Sequence, residues 1–266
     1  MDQEEEELYM DSSIIFTKDT LVLFQENFKE ILHYHETIQL IIGYEKPFLI
    51  RFDDGDWEEH SGIIIEEDQS FEIETGDGTD AILSIISDTR KAQKLMATVL
   101  FEKNVYPFDP KDYKEIIDEL ITYNGSKSRG INTTLDSLIN QITDDYSENE
   151  PLGEKVKLAV EYIENNMSHD ISIEKISDVA LSTPGHLNFL FRTQTGVSMT
   201  RFVEWTSLAV VIISAVKGTK LKDAVKEAGY MSFSDFSHTF TKIFGVTPRQ
   251  VLAGENYQKA LTIFSD

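Results

Sequence analysis

Apolar and polar residues follow two different periods along the chain. From Ser13 to about Ser87 the apolar residues fall in short runs or alternate with polar ones, the period of strands. Residues 14–16 and 21–24 are short apolar runs, and 33–42, 48–52, 62–65, 71–74 and 81–86 are predicted strands. Turn signals separate them at Gly43, Lys46-Pro47, Asp53-Asp54-Gly55-Asp56 and Gly76-Asp77-Gly78. Short strands at this spacing predict a small antiparallel β-barrel or jelly roll over 13–90. From Lys91 the apolar spacing becomes helical, over 91–101, 110–123 and 133–142, with Ile116, Ile117, Leu120 and Ile121 on one face. Everything after Pro151 reads as helix. The predicted class is therefore α+β, with a helical dimerisation or linker segment over 91–150, a C-terminal all-α domain over 151–255 and a short tail over 256–266.

The last 110 or so residues contain a repeat. Residues 153–167 are amphipathic, with Val156, Val160, Ile163 and Met167 on one face. Ser172 is placed to cap a short helix that buries Ile173, Ile176 and Ala180. Thr183-Pro184 starts the next, with Leu187, Leu190 and Phe191 inward and a stop at Gly196. A similar pair follows: Leu221, Ala224, Val225 and Ala228 end at Gly229, then Ser232 or Ser234 opens a helix carrying Phe236, Phe240, Ile243 and Phe244 to Gly245. Ile173 and Leu221 are 48 residues apart, and Phe191 and Phe240 are 49 apart. Two short helices joined by a tight turn, repeated at that distance, make two helix-turn-helix units. Residues 198–217 bridge them as one long helix. Two readings fit that apolar bridge: a buried spine, or a helix that also docks one face on the N-terminal domain or a partner.

Charge sharpens the division. The net charge is −23, but 154–266 hold 12 Lys/Arg and 12 Asp/Glu, so the excess lies entirely in 1–153. The change coincides with a linker near Glu148-Asn149-Glu150-Pro151-Leu152-Gly153. Residues 1–12 read as an acidic, solvated tail. Cysteine is absent, which excludes disulfides and thiolate chemistry and suits a reducing compartment. The start Met1-Asp2-Gln3-Glu4-Glu5-Glu6-Glu7 lacks the basic and apolar segments of a secretory signal. The longest apolar stretch, Leu208 to Ile213, falls far short of the roughly 20 residues that span a bilayer. A cytoplasmic protein with no membrane partner is expected.

Ala228-Gly229-Tyr230, Phe236, Phe240, Lys242, Phe244-Gly245-Val246-Thr247-Pro248 and Arg249 resemble the signature that closes the AraC/XylS-type domain. The resemblance covers roughly 100 residues and is tightest over the last 30 or so. It implies a transcription regulator that lays two recognition helices into successive major-groove segments of double-stranded DNA. The N-terminal part is similar, more loosely, to the cupin-like sensor domains joined to such units, through His33-Tyr34-His35, Gln39-Leu40, Gly43, Pro47-Phe48 and Trp57. A homodimer and a small-molecule effector are what that similarity implies.

Recognition helices need polar side chains away from the core. The first offers Thr183, Gly185, His186, Asn188 and Arg192, with Phe189 among them. The second offers Ser232, Ser234, Asp235, Ser237, His238, Thr241 and Lys242, and Arg249 follows in the closing signature. Relatives of the implied family usually carry Arg at position 189, often at 238, and several along the bridge, where this chain has the uncharged run from Thr206 to Ile213. They also favour Ala and Gly at the positions of Ser177 and Leu181. Counterion release at phosphates supplies much of DNA affinity, so a neutral domain is expected to bind weakly and with strong salt dependence. Lys217, Lys220, Lys222 and Lys226 remain as a basic cluster near the second unit.

His33 and His35, two apart on a predicted strand, would share one face. With Gln39, Ile50, Phe52 and Trp57 they form the candidate effector pocket. Two imidazoles without a carboxylate and a third histidine rarely hold a metal, so neither metal nor cofactor is expected. No catalytic constellation stands out: Gly76-Asp77-Gly78 lacks the lysine and helix start of a phosphate loop. A non-enzymatic regulator is expected. The alternatives are a diverged relative acting through protein contacts, and a cupin enzyme using His33 and His35 with a metal.

Overall fold

The structure, a computed structural model, describes residues 13–25, 29–76, 80–86, 89–122, 130–147, 151–167, 171–244, 247–248 and 259–263. Eleven strands among these are β1 (Ser13–Thr17), β2 (Thr20–Gln25), β3 (Lys29–His33), β4 (Thr37–Gly43), β5 (Phe48–Phe52), β6 (Glu58–His60), β7 (Gly62–Ile65), β8 (Phe71–Glu74), β9 (Asp80–Ile86), β10 (Val105–Pro107) and β11 (Lys259–Ile263). They form two sheets, one of seven strands in the order β10-β7-β4-β9-β2-β1-β11 and one of four in the order β3-β8-β5-β6. The expected small antiparallel domain is thus an open two-sheet sandwich, with no closed ring among the described strands. The expected run 33–42 is broken at Tyr34–Glu36, so β3 and β4 lie in different sheets.

The large sheet buries both faces. On its outer face Leu40, Ile42, Ile64, Leu83 and Ile85 pack against three helices, α1 (Arg90–Ala97), α2 (Lys114–Ile121) and α3 (Ile131–Thr143). The apolar stripes of α2 and α3, including Ile117, Leu120, Leu135 and Leu138, are used up there. Side chains alternate along a strand, so the inner face carries Ile14, Phe16, Leu21, Ser84, Gln39, Ile41, Ile63 and Ile65. The register places Phe16 opposite Leu21, Leu21 opposite Ser84, Ser84 opposite Gln39 and Gln39 opposite Ile65 in one row. Ile41, Ile63 and Ile65 meet Phe48, Ile50, Phe71 and Ile73 of the small sheet. The small sheet is too narrow to cover β1 and β2, whose Ile14, Phe16 and Leu21 join the core of the C-terminal helices instead.

Those helices are α4 (Glu154–Asn166), α5 (Ile173–Val179), α6 (Pro184–Thr195), α7 (Met199–Val216), α8 (Leu221–Glu227) and α9 (Phe233–Phe244). Beyond Glu204 the bridge α7 carries no charge on any side, and by length and composition the helix could cross a bilayer. Here it is packed on several sides, which is what an all-round apolar helix requires in a folded core. Met199, Phe202, Leu208 and Ile212 are buried among the two helical units. Trp205 turns to the sheet: its ring lies 5.1 Å from that of Phe16 and 5.9 Å from that of Phe244, and its indole N–H donates to the Thr17 carbonyl at 2.9 Å. Both readings of the bridge therefore hold together, spine and docking face at once.

One expectation is corrected. The sequence predicts helix and then tail after the second unit, yet 259–263 run parallel to β1 and extend the large sheet, with Ser13 opposite Lys259 and Thr17 opposite Ile263. The edge of β1 offers unpaired backbone groups, and the β-favouring Leu261-Thr262-Ile263 run satisfies them.

A buried ion cluster fixes the turn between β1 and β2. Lys91 lies 2.8 Å from Asp19 and 3.1 Å from Asp136. Burial alone would raise the Asp19 pKa, but Lys91 and Lys18, with hydrogen bonds from Lys91 and Thr20, hold the carboxyl below its usual range. Burial would lower Lys91, and its two carboxylate partners outweigh it and raise it. A depressed carboxylate stabilises the fold above the unfolded value near pH 4 and loses that contribution as pH falls. Asp19→Asn is therefore expected to cost about 3 kcal/mol at neutral pH, with the gap to wild type closing below pH ~4 in denaturant titrations; a gap constant with pH would refute the assignment. For the docking contact, Trp205→Phe keeps the ring packing but strands the Thr17 carbonyl, and a loss of about 1–2 kcal/mol is expected. Trp205→Ala is expected to cost about 3–5 kcal/mol. Unchanged stability in Trp205→Phe would show that the indole hydrogen bond does not matter.

Candidate nucleic-acid interface

Each predicted recognition helix begins at a side-chain cap. The Thr183 hydroxyl accepts from the His186 N–H at 3.4 Å, Pro184 fills the first turn, and Gly196 ends α6 at φ 85°, its N–H donating to the Arg192 carbonyl. In α9 Ser232 is the cap: its hydroxyl accepts from the Asp235 N–H at 3.1 Å, while the Asp235 carboxylate accepts from the Met231 N–H at 3.3 Å. This reciprocal pair satisfies two backbone donors at once. It decides between Ser232 and Ser234, and it engages Asp235 in capping.

Burial sorts the remaining positions. In α6, Leu187 and Phe191 are fully buried, and Thr183, Gly185, His186, Asn188, Phe189 and Arg192 are exposed. In α9, Phe236, Thr239, Phe240, Ile243 and Phe244 are buried; Ser232, Ser234, His238 and Lys242 are exposed, with Ser237 and Thr241 half-buried. The structure thus brings the predicted residues of each helix onto one outward side. Arg249 lies outside the described residues. Lys217, Lys220, Lys222 and Lys226 are exposed around the start of the second unit.

The tight turns of the two units differ. Gly229 adopts φ 80°, the left-handed region that glycine occupies freely, whereas its counterpart Leu181 adopts φ 49° and is 81% exposed. The side chain gains no burial to offset the strain.

The N-terminal domain reaches the C-terminal end of α9. Glu36 lies 3.4 Å from both Arg201 and Lys242, and the Thr37 hydroxyl donates to the Ile243 carbonyl at 3.4 Å. Thr37 belongs to a buried polar chain: Gln39 donates to its hydroxyl at 2.6 Å, and Ser84 donates to Gln39 at 3.0 Å. Sequence reasoning missed Glu36 and Thr37 as contacts to a recognition helix. Their partners are 165 to 206 residues away, and no local pattern marks them.

Of the predicted effector-pocket residues, His35, Gln39, Ile50 and Phe52 fall within the sandwich. His35 is buried and stacks on Phe71 at 5.3 Å, and Phe52 approaches the same ring at 6.5 Å. The shared strand face expected for His33 and His35 does not form, because β3 ends at His33 and His35 sits in the following loop. Trp57 stands on the surface with the Arg51 guanidinium 5.1 Å over its ring. A cleft of about 860 Å³ opens elsewhere, between Lys18, Lys91 and Lys94 of the N-terminal part and Lys157, Glu164 and Phe202 of the C-terminal helices. Burial and the neighbouring Glu161 push the Glu164 carboxyl up within it.

Residues 176–254 match a family model described as a helix-turn-helix domain. That stretch takes in most of the first helix-turn-helix unit and all of the second, where the AraC/XylS-type resemblance lies. Two of the relatives are named as transcriptional regulators. The probable transcriptional regulator LumQ of Photobacterium leiognathi is 28% identical over 123 residues, 46% of this chain and 49% of that protein. The putative HTH-type transcriptional regulator YkgA of Escherichia coli (strain K12) is 28% identical over 106 residues, 39% of this chain and 44% of that protein. The chain thus spans about half the length, or less, of the relatives it matches. In fold it is similar to unsaturated-fatty-acid-bound ToxT of Vibrio cholerae strain SCE256, at 11% identity and a TM-score of 0.50, over 88% of this chain and 95% of that one.

The strained turn gives a direct test. Leu181→Gly is expected to stabilise the protein by about 0.5–1 kcal/mol in chemical denaturation, the left-handed strain relieved less the entropy added to the unfolded chain. A loss of stability would show that the exposed leucine has a packing role.

Proposed function

We propose that this chain is a cytoplasmic, non-enzymatic transcription regulator that binds double-stranded DNA sequence-specifically through α6 and α9. One observation carries the reading: two capped helices, in units 48–49 residues apart, each bury an apolar face and present a polar one. The match to a helix-turn-helix family model and the two relatives named as transcriptional regulators support it. Asn188 is suited to read adenine, and Arg192 and Lys242 to guanine or phosphate.

Control enters through the N-terminal domain. The sandwich interior around His35, Gln39, Ile50 and Phe52 is the effector site of this reading, with His33 beside it; Trp57, on the surface, is set aside. ToxT, which shares the fold, is described with an unsaturated fatty acid bound. A ligand there would act on α9 through Gln39 and Thr37, by favouring one presentation of the helix over another. Two copies of the chain would set the two pairs of recognition helices on one operator, so a homodimer is proposed.

A second reading has its own support. The domain is neutral, and Glu36 holds Arg201 and Lys242. A regulator with little affinity for DNA that works through protein contacts would look the same. Genome-wide capture of DNA on the tagged protein separates them: enriched sites sharing a motif support the first, whereas no enrichment together with a stable heteromer supports the second. Within the first reading, Glu36→Gln frees Lys242 from Glu36 and leaves Arg201 with Glu204 and the Glu36 carbonyl; it is expected to raise affinity for a captured site severalfold at low salt, by gel shift, with a steeper salt dependence. Unchanged affinity and slope would remove Glu36 from control of binding.

A further inference from the structure

We propose that Phe189 is a base-reading side chain that selects a thymine by packing on its 5-methyl group, an inference that rests on the DNA-binding reading above. Phe189 is 65% exposed, although burying a ring of this size ordinarily contributes about 1.5–3 kcal/mol. Its helix is fixed from within by Leu187 and Phe191, both fully buried, and at its start by the Thr183 cap. The helix therefore fixes the point on its outward side from which the Phe189 side chain projects. One turn earlier stands Gly185, where an added Cβ would meet no atom within 4 Å. The helix surface at Gly185 is consequently open, and a groove edge can approach the backbone there.

Chemistry selects the ligand. The exposed neighbours Asn188, His186 and Arg192 are polar, which suits a groove lined with donors and acceptors better than an apolar protein surface. Thymine is the one base that presents an apolar group in the major groove, its C5-methyl. An apolar side chain among polar readers therefore distinguishes thymine from the other three. The domain carries no net charge, so phosphates contribute less than usual and base contacts must supply more of the discrimination. The counterpart of Phe189 in the second unit is His238, exposed and polar. The two units thus read different chemistry, and the bound site is asymmetric within one copy of the chain.

The test uses the full chain and a randomised duplex library selected at low salt. One strongly preferred thymine is expected in the half-site of the first unit. Replacing it with deoxyuridine, which lacks only the methyl group, is expected to weaken wild-type binding about fourfold, the weight of one buried methyl-sized group. Phe189→Ala should bind the thymine and deoxyuridine duplexes alike and keep the wild-type thermal midpoint, while His238→Ala should keep the discrimination. Wild type binding both duplexes equally, or Phe189→Ala still preferring thymine, overturns the inference and leaves the regulatory reading standing. Selection of no duplex overturns both. A change in sedimentation on Phe189→Ala with thymine preference intact would assign the ring to contacts between copies and overturn the inference.

Discussion

The seat of Trp205 on Phe16 and Thr17 is the contact on which the rest of the arrangement depends. A seven-stranded sheet faces a four-stranded one, so part of its inner surface has no strand to cover it. Ile14, Phe16 and Leu21 lie on that part, and leaving them in water would forfeit their burial. The chain covers them with α7 and α9, and the clustered rings of Phe16, Trp205 and Phe244 fill the seam. The β-domain and the helical domain therefore share one core, and neither face would be complete alone.

That shared core treats the two recognition helices unequally. α6 packs against α4, α5 and α7, within its own domain. α9 is also held by the sandwich, through Thr37 at the Ile243 carbonyl and Glu36 at Lys242. The last carbonyls of a helix have no partner within it, so a hydroxyl supplied from outside is a real constraint on its position. The polar chain Ser84–Gln39–Thr37 continues that constraint into the space between the sheets. A change in packing there has a direct physical route to the second unit, and a longer one to the first.

Much of this was legible in the sequence, and what was not has a common cause. The strands, the helices and the two-unit repeat follow from local spacing, and the caps Thr183 and Ser172 from residue type; Ser232 needed geometry to choose it over Ser234. The break at Tyr34–Glu36 was hidden because the run from His33 to Ile42 stays compatible with a strand throughout. Residues 259–263 were hidden because a β-favouring run gains its meaning only from a free strand edge nearly 250 residues earlier. The same holds for Glu36 and Thr37, whose roles come from packing between distant elements. Exposure of Phe189 could be inferred from helical spacing, but the openness beside it at Gly185 required geometry.

The uncharged middle of α7 follows from the same constraint. Members of the family this domain resembles usually carry arginines there, and here Thr206, Ser207, Leu208, Ala209, Val211 and Ile212 are all buried. A charge at any of them would have to be desolvated without a partner, at a cost of several kcal/mol (about 3 or more). Using α7 both as spine and as cover for the sheet therefore removes a row of phosphate-binding groups. Cations survive where the helix leaves the core: Arg201 near its start, engaged with Glu36, and the lysines from Lys217 onward. Covering a wide sheet with the DNA-binding domain thus shifts recognition from phosphate attraction toward contacts made by the outward side chains of α6 and α9.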